Sequence, residues 1–158
     1  MTTLAPHTPD EPRQWVDHDP DDVTAVRSIV IDEWPDPTNI GRPGALLASS
    51  DETLVYWLPI IGATGTLMIH HFALWVDGGR FTIGTSAFLK TFGVTKWSVI
   101  KRTLDRLRLY ADLITYDETG DVLTIYVRRV LPPIEGKYRA KLPAYLGIAY
   151  SDLIRAVS

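Results

Sequence analysis

Between Arg80 and Asp112 the chain carries seven basic residues: Arg80, Lys90, Lys96, Lys101, Arg102, Arg106 and Arg108. Only two carboxylates, Asp105 and Asp112, share that stretch. Guanidinium and ammonium groups at this density hold anions. Arginine adds a planar fork of N–H donors that matches two acceptors at once. The chemistry on offer is therefore recognition, not bond breaking. A helix face turned to water also displays Lys and Arg, so the local density carries the inference, not the presence of charge.

Sets of residues that would support catalysis or metal binding fail on spacing. The chain has no cysteine, which excludes a thiolate metal site, a cysteine nucleophile and a disulfide scaffold. His70 and His71 are adjacent on an expected helix, about 100° apart, so one metal cannot take both. One of the pair is expected inside and one partly exposed. His7, His18 and the nearby aspartates lie in a segment too irregular for an ordered site. Gly62-Ala63-Thr64-Gly65 lacks the Gly-Lys-Ser/Thr of a phosphate loop. Gly84-Thr85-Ser86 lacks the pattern of a nucleophile elbow. Asp51-Glu52 begins a helix, where carboxylates serve as capping charges. No catalytic residue, metal or cofactor is expected, and the chain does not read as an enzyme.

Composition bounds the rest. A chain of 158 residues with 46% hydrophobic residues suffices for one core. The net charge of −3 hides an asymmetry. Residues 1–60 hold 3 basic and 11 acidic residues, a net of −8, and residues 61–158 hold 13 and 8, a net of +5. The sequence pI of 5.7 therefore does not argue against a polyanionic partner. No run of 18 apolar residues and no signal-peptide pattern are visible, so a cytoplasmic protein without a membrane segment is expected.

The elements that must position the basic residues follow from periodicity. Residues 1–22 are rich in Pro and Asp and read as a disordered acidic tail. Residues 23–61 read as an N-terminal extension packing on the core. Within it Val23–Glu33 fits a short helix or a strand, and Trp34–Leu47 is a loop. Ser50 caps a helix that Pro59 and Gly62 end or kink. Ala63–Val76 is an apolar central helix, stopped by Gly78-Gly79. Arg80–Ile83 reads as a strand, Thr85–Phe92 as a helix and Gly93–Thr95 as a turn. Lys96–Tyr110 is a longer helix. Leu113–Tyr116 and Val122–Val130 alternate as strands joined by the five residues 117–121. Residues 131–158 form a C-terminal extension with a helix over Ala144–Ala156. Trp57, Trp75 and Trp97 lie on apolar faces and are expected in the core. Trp34 is undecided, and Trp15-Val16 is the apolar pair of the tail.

Residues 62–130 thus run helix, strand, helix, turn, helix, hairpin. With Phe88-Leu89-Lys90-Thr91-Phe92-Gly93-Val94-Thr95, then Ile100-Lys101-Arg102-Thr103-Leu104, Leu107 and Leu113-Ile114, this segment resembles the winged helix-turn-helix superfamily of bacterial DNA-binding regulators. The chain departs from that pattern twice. One extra residue separates Gly93 from Leu104, and Ala111-Asp112-Leu113-Ile114 replaces the common Gly-Leu-Ile. The resemblance implies an α+β fold, a winged helix with extra N-terminal and C-terminal helical elements.

It also implies a double-stranded DNA-binding protein, a transcriptional regulator whose 96–110 helix enters the major groove. Helical rotation places Trp97, Ile100, Leu104, Leu107 and Ala111 inward. Thr95, Ser98, Val99, Arg102, Asp105 and Arg106 then face outward. Arg102 matches the family's arginine, and with Arg106 it is expected to read bases. Lys90, Lys96, Lys101 and Arg108 are expected on phosphates. The hairpin argues otherwise: its tip carries Asp117, Glu118 and Asp121, and only Arg128-Arg129 is basic, at its far end. An alternative is therefore a winged-helix protein–protein interaction module, with a partner in the transcription machinery. A homodimer would match a palindromic site, with Tyr145, Leu146, Tyr150 and Leu153 as its interface or as a cover for the chain's own core. The acidic tail would either dock on a partner or shield the chain's own basic face.

Overall fold

The computed structural model describes residues 24–157. The expected acidic tail over residues 1–22 lies outside them. The fold is α+β, with helices packed on a small mixed sheet.

Strand β1 (Ser28–Glu33) lies inside the sheet, not on its surface. Val23–Glu33 fitted either periodicity, and the alternation decides it. Ile29 and Ile31 are fully buried, while Val30 between them is half-buried. β1 pairs antiparallel with β3 (Phe81–Gly84) and parallel with β5 (Val122–Val127). Strand β4 (Ile114–Thr119) completes the order β3-β1-β5-β4. Register aligns Ile29 with Leu123 and Ile31 with Ile125, so one sheet face forms a continuous apolar layer.

The hairpin is tighter than expected. Thr119 pairs with Val122, which leaves only Gly120 and Asp121 in the turn instead of five residues. Gly120 sits at φ 61°, the conformation that glycine adopts without penalty at the first central position of a two-residue hairpin turn. The second strand is shorter than the expected 122–130. It ends at Val127, and after Arg128-Arg129 the two-residue β6 (Val130–Leu131) pairs instead with β2 (Leu46–Leu47).

Helix α1 (Asp51–Tyr56) starts at Ser50, whose hydroxyl accepts from the Thr53 amide at 3.4 Å. Helix α2 (Leu58–Val76) carries the expected kink at Gly62, at φ 80°. By length and composition α2 is the one described helix apolar enough to cross a membrane, yet half of that stretch is buried inside this fold. Met68, Ile69, Phe72, Ala73 and Val76 pack into the core. Trp57 and Trp97 are buried and Trp75 is half-buried, as their apolar faces implied. His70 and His71 are both half-buried, which corrects the expected division into one inner and one outer histidine. His71 Nδ1 lies 2.8 Å from the Leu67 carbonyl oxygen.

Two C-terminal elements follow, α5 (Gly136–Arg139) and α6 (Ala144–Val157). Leu146 and Tyr150 of α6 are buried in this chain's own core, while Tyr145 and Ile148 are exposed. The Tyr150 hydroxyl donates to the Gly44 carbonyl at 2.6 Å and accepts from the Ile134 amide at 2.8 Å. Gly44 is required there: a Cβ on it would stand 2.5 Å from that hydroxyl, and its φ is +84°. Burial of the phenol raises its pKa above the ordinary tyrosine value.

Candidate nucleic-acid interface

Two helices joined by a turn carry the basic residues. Helix α3 (Thr85–Thr91) buries Phe88, whose ring stacks with Phe72 at 6.0 Å and meets Phe92 edge-on at 5.1 Å. The Thr85 hydroxyl donates to the Val26 carbonyl at 2.9 Å, which fixes the start of α3 beside β1. The turn after α3 passes through Gly93 at φ 65°, and the Val94 amide donates back to the Leu89 carbonyl at 3.0 Å. Phe92 and Val94 pack against the core and so hold the angle between the helices.

Helix α4 (Trp97–Ala111) is strongly amphipathic. Trp97, Ile100, Leu104 and Leu107 face inward as expected, the last three fully buried. Its C-terminus explains the departure at Ala111-Asp112. Asp112 is the one described non-glycine residue with positive φ, at 53°. The Leu113 amide closes the helix end on the Leu107 carbonyl at 3.0 Å. A left-handed residue is needed there, and aspartate takes that conformation more readily than most side chains. Asp112 therefore does the conformational work of the glycine in the similar motif and adds a carboxylate.

The outward face divides into two groups. Arg102 and Arg106 are exposed, as are Lys90, Thr95, Lys96 and Ser98 around the turn and the first turn of α4. Val99 is half-buried. Lys101 belongs to the second group. Its Nζ donates to the Tyr116 hydroxyl at 3.0 Å and lies 4.5 Å from that ring's centroid. Arg108 sits 4.4 Å from the same centroid and 3.6 Å from the Asp105 carboxylate. The Tyr116 hydroxyl donates to Asp105. Lys101, Asp105 and Arg108 thus clamp α4 to β4 through one tyrosine, and the cations are partly spent inside the protein. Tyr116 was not singled out in the sequence. It stands on an alternating strand, where an aromatic residue reads as ordinary packing.

Arg128 and Arg129 are also engaged. Arg128 is buried and donates to Asp36 at 2.8 Å, to the Asp112 carboxylate at 3.2 Å and to the Asp112 carbonyl at 2.8 Å. Its guanidinium lies 3.9 Å from the centroid of the Trp34 ring, which gives that tryptophan its role. Asp36 is held at a pKa of about 2 by hydrogen bonds from the Thr38 hydroxyl and amide and from Arg128. Arg129 pairs with Asp77.

Set against these, Arg102 and Arg106 are distinctive. Every other described arginine has a carboxylate, hydrogen-bond or ring partner: Arg27, Arg42, Arg80, Arg108, Arg128, Arg129, Arg139 and Arg155. Arg102 and Arg106 have none among the described residues, and neither has Lys90 an ion pair. Sequence periodicity placed Arg102 and Arg106 outward, and Lys90 was expected on a phosphate. It did not reveal which outward cations were already paired.

The hairpin tip is acidic. Asp117, Glu118 and Asp121 are all exposed. A groove of about 460 Å³ lies at the opposite end of α4, lined by Trp57, Leu109, Asp112, Pro133, Lys137 and Tyr138 among others. Among the described residues no cluster of three His, Asp or Glu side chains is placed to hold a metal. Comparison of the chain with family models, curated proteins and solved structures finds no match.

Proposed function

We propose that residues 62–130 form a winged helix-turn-helix domain and that the protein binds double-stranded DNA as an intracellular transcriptional regulator. The observation that carries this reading is the pair Arg102 and Arg106, exposed on one face of α4 and unpartnered among the described residues, where the other described arginines are engaged. An unpaired guanidinium offers its whole donor fork to a guanine edge or a phosphate. Thr95 and Ser98, short polar side chains at the start of the helix, suit close approach to bases. Lys90 and Lys96 would position the phosphate backbone, with Lys101 and Arg108 contributing less because Tyr116 holds them. α4 would lie in the major groove and α3 across the backbone.

A second reading is supported by the hairpin. Exposed Asp117, Glu118 and Asp121 would be repelled by phosphates and suit a basic protein surface. On that reading the domain is a protein-interaction module with a partner in the transcription machinery. A homodimer on a palindromic site would need a surface other than Leu146 and Tyr150, which the chain's own core consumes.

The test is fluorescence anisotropy with random-sequence duplexes, comparing wild type with Arg102→Glu. DNA binding predicts tight, salt-sensitive association by the wild type and at least about a tenfold loss in the variant at low salt. Absence of binding by the wild type at low salt would move the assignment to the protein-interaction module.

A further inference from the structure

We propose that residues 1–23 of this chain dock across the exposed face of α4 and compete there with DNA. The docking stands on charge and geometry. The competition rests on the DNA-binding reading above.

Residues 1–23 hold six acidic side chains (Asp10, Glu11, Asp17, Asp19, Asp21 and Asp22) against Arg13 alone, a net of −5. The helix face with cations to spare is that of Arg102 and Arg106, one turn apart on α4 and both exposed. Elsewhere Arg80, Arg129 and Arg155 pair with Asp32, Asp77 and Asp152, exposed Arg27 bonds the Thr24 carbonyl and exposed Lys137 lies over the Tyr138 ring. Among the described residues α4 is the helix that presents two unpartnered guanidiniums on one face, which makes it the complementary surface for an acidic segment.

The point of entry brings the segment to that surface. The described chain begins at Thr24, and the Arg27 amide donates to the Asp121 carbonyl in the hairpin turn at 2.7 Å. Residues 24–27 thus lie at the hairpin-turn end of the sheet, beside the start of α3, where Thr85 bonds to Val26. α3 leads from that point through the turn at Gly93 to the start of α4, and Lys101 and Arg108 both reach Tyr116, so α4 crosses β4 at that residue, three positions from Thr119 at the turn. Reach is no obstacle: 23 residues span about 27 Å as an average coil, and a helix of this length is about 22 Å long. Asp117, Glu118 and Asp121 repel an acidic segment from the hairpin side, which leaves the α4 face as the favourable direction. Tethering supplies an effective concentration near the millimolar range, so a weak intrinsic attraction suffices. In sequence, Trp15 and Val16 lie between the two acidic groups.

The absence of cysteine makes the test clean, because a single cysteine introduced at Gln14→Cys carries a nitroxide at one place only. In the full chain at low salt, paramagnetic broadening is expected at the α4 backbone amides around Ser98–Arg106. It should fade in high salt and in Arg102→Glu/Arg106→Glu. Broadening that is absent, or indifferent to that double variant, overturns the docking. Broadening that appears only in mixtures of spin-labelled and isotope-labelled chains shows a second copy as the occupant and overturns the intramolecular form. In parallel, duplex binding is compared between wild type and the full chain with its six N-terminal carboxylates changed to amides. Competition predicts about fivefold or greater tightening at low salt, vanishing as salt rises. Equal affinities overturn the competition. If neither chain binds DNA, the DNA-binding reading and the competition fall together, and the nitroxide result alone decides the docking.

Discussion

Arg128 and Arg102 are the same side chain in opposite circumstances. Arg128 is enclosed by Asp36, Asp112 and the Trp34 ring, and ties the segment after β1 to the end of α4 and the end of β5. Arg102 stands on the outer face of α4 with no partner among the described residues. Enclosure makes an arginine part of the architecture, since its charge is already balanced and its donors are occupied. Exposure without a partner leaves both charge and donors available to a ligand. The difference teaches that counting basic residues overstates a binding surface. Of the seven between Arg80 and Asp112, Arg80, Lys101 and Arg108 are partly consumed within the fold.

Substitutions in the two regions should separate stability from binding. The largest stability effect is expected for Arg128→Ala, which leaves the Asp112 carbonyl without its side-chain donor, leaves Asp36 with Thr38 alone and removes the side chain packed on the Trp34 ring. We expect a loss of about 3 kcal/mol in denaturant unfolding, from lost hydrogen bonds and lost packing together. Arg102→Ala should change stability by less than about 0.5 kcal/mol, as an exposed residue with no hydrogen-bond, ion-pair or ring partner among the described residues. Equal destabilisation by the two would erase the distinction.

Tyr150→Phe extends the comparison to a neutral anchor. It strands the Gly44 carbonyl and the Ile134 amide in the interior, with an expected cost of about 2 kcal/mol. DNA affinity should not change, because α6 lies apart from the α4 face.

Tyr116→Phe should move the boundary between the regions. Losing the hydroxyl frees Lys101 and Asp105 from their shared partner, at about 1 kcal/mol of stability. Duplex affinity should change by less than about threefold, since the freed lysine and the freed aspartate oppose each other.

The smallest effect is pH-linked. The Asp36 pKa is depressed to about 2, so its contribution is present above the unfolded value near 4 and is lost as pH falls toward 2. The Asp36→Asn variant should therefore lose less stability than wild type between pH 4 and pH 2, read from unfolding midpoints. An identical slope in both chains would show that Arg128 holds its position without this carboxylate.

The longer helices were legible in the sequence because each pairs a clear apolar face with a clear stop. The inward set on α4 and the kink at Gly62 are examples. The four-residue α5, which buries no side chain, was not legible. β1 was legible as β-branched but not as a strand between β3 and β5, since its parallel partner lies some 90 residues on and periodicity carries no pairing information. The hairpin tip was drawn too wide because Asp117, Glu118 and Thr119 look like loop residues, yet they pair as an edge strand. On the candidate site, outward orientation was readable and engagement was not. Lys101 and Arg102 are neighbours of like charge, and only the position of Tyr116 distinguishes them. Arg128 was read as half of a basic pair because Asp36 lies 92 residues away.

The central claim is that the unpartnered cations of α4 hold DNA while paired arginines elsewhere do not. Its most direct test is the salt dependence of duplex affinity in three chains: wild type, Arg102→Gln/Arg106→Gln, and the charge-matched Arg80→Gln/Arg155→Gln. The account predicts that the log–log slope falls by about two in the α4 variant and stays near the wild-type value in the other. Equal slopes in the two variants would mean that DNA responds only to net charge, and would contradict an assignment of α4 as the reading surface.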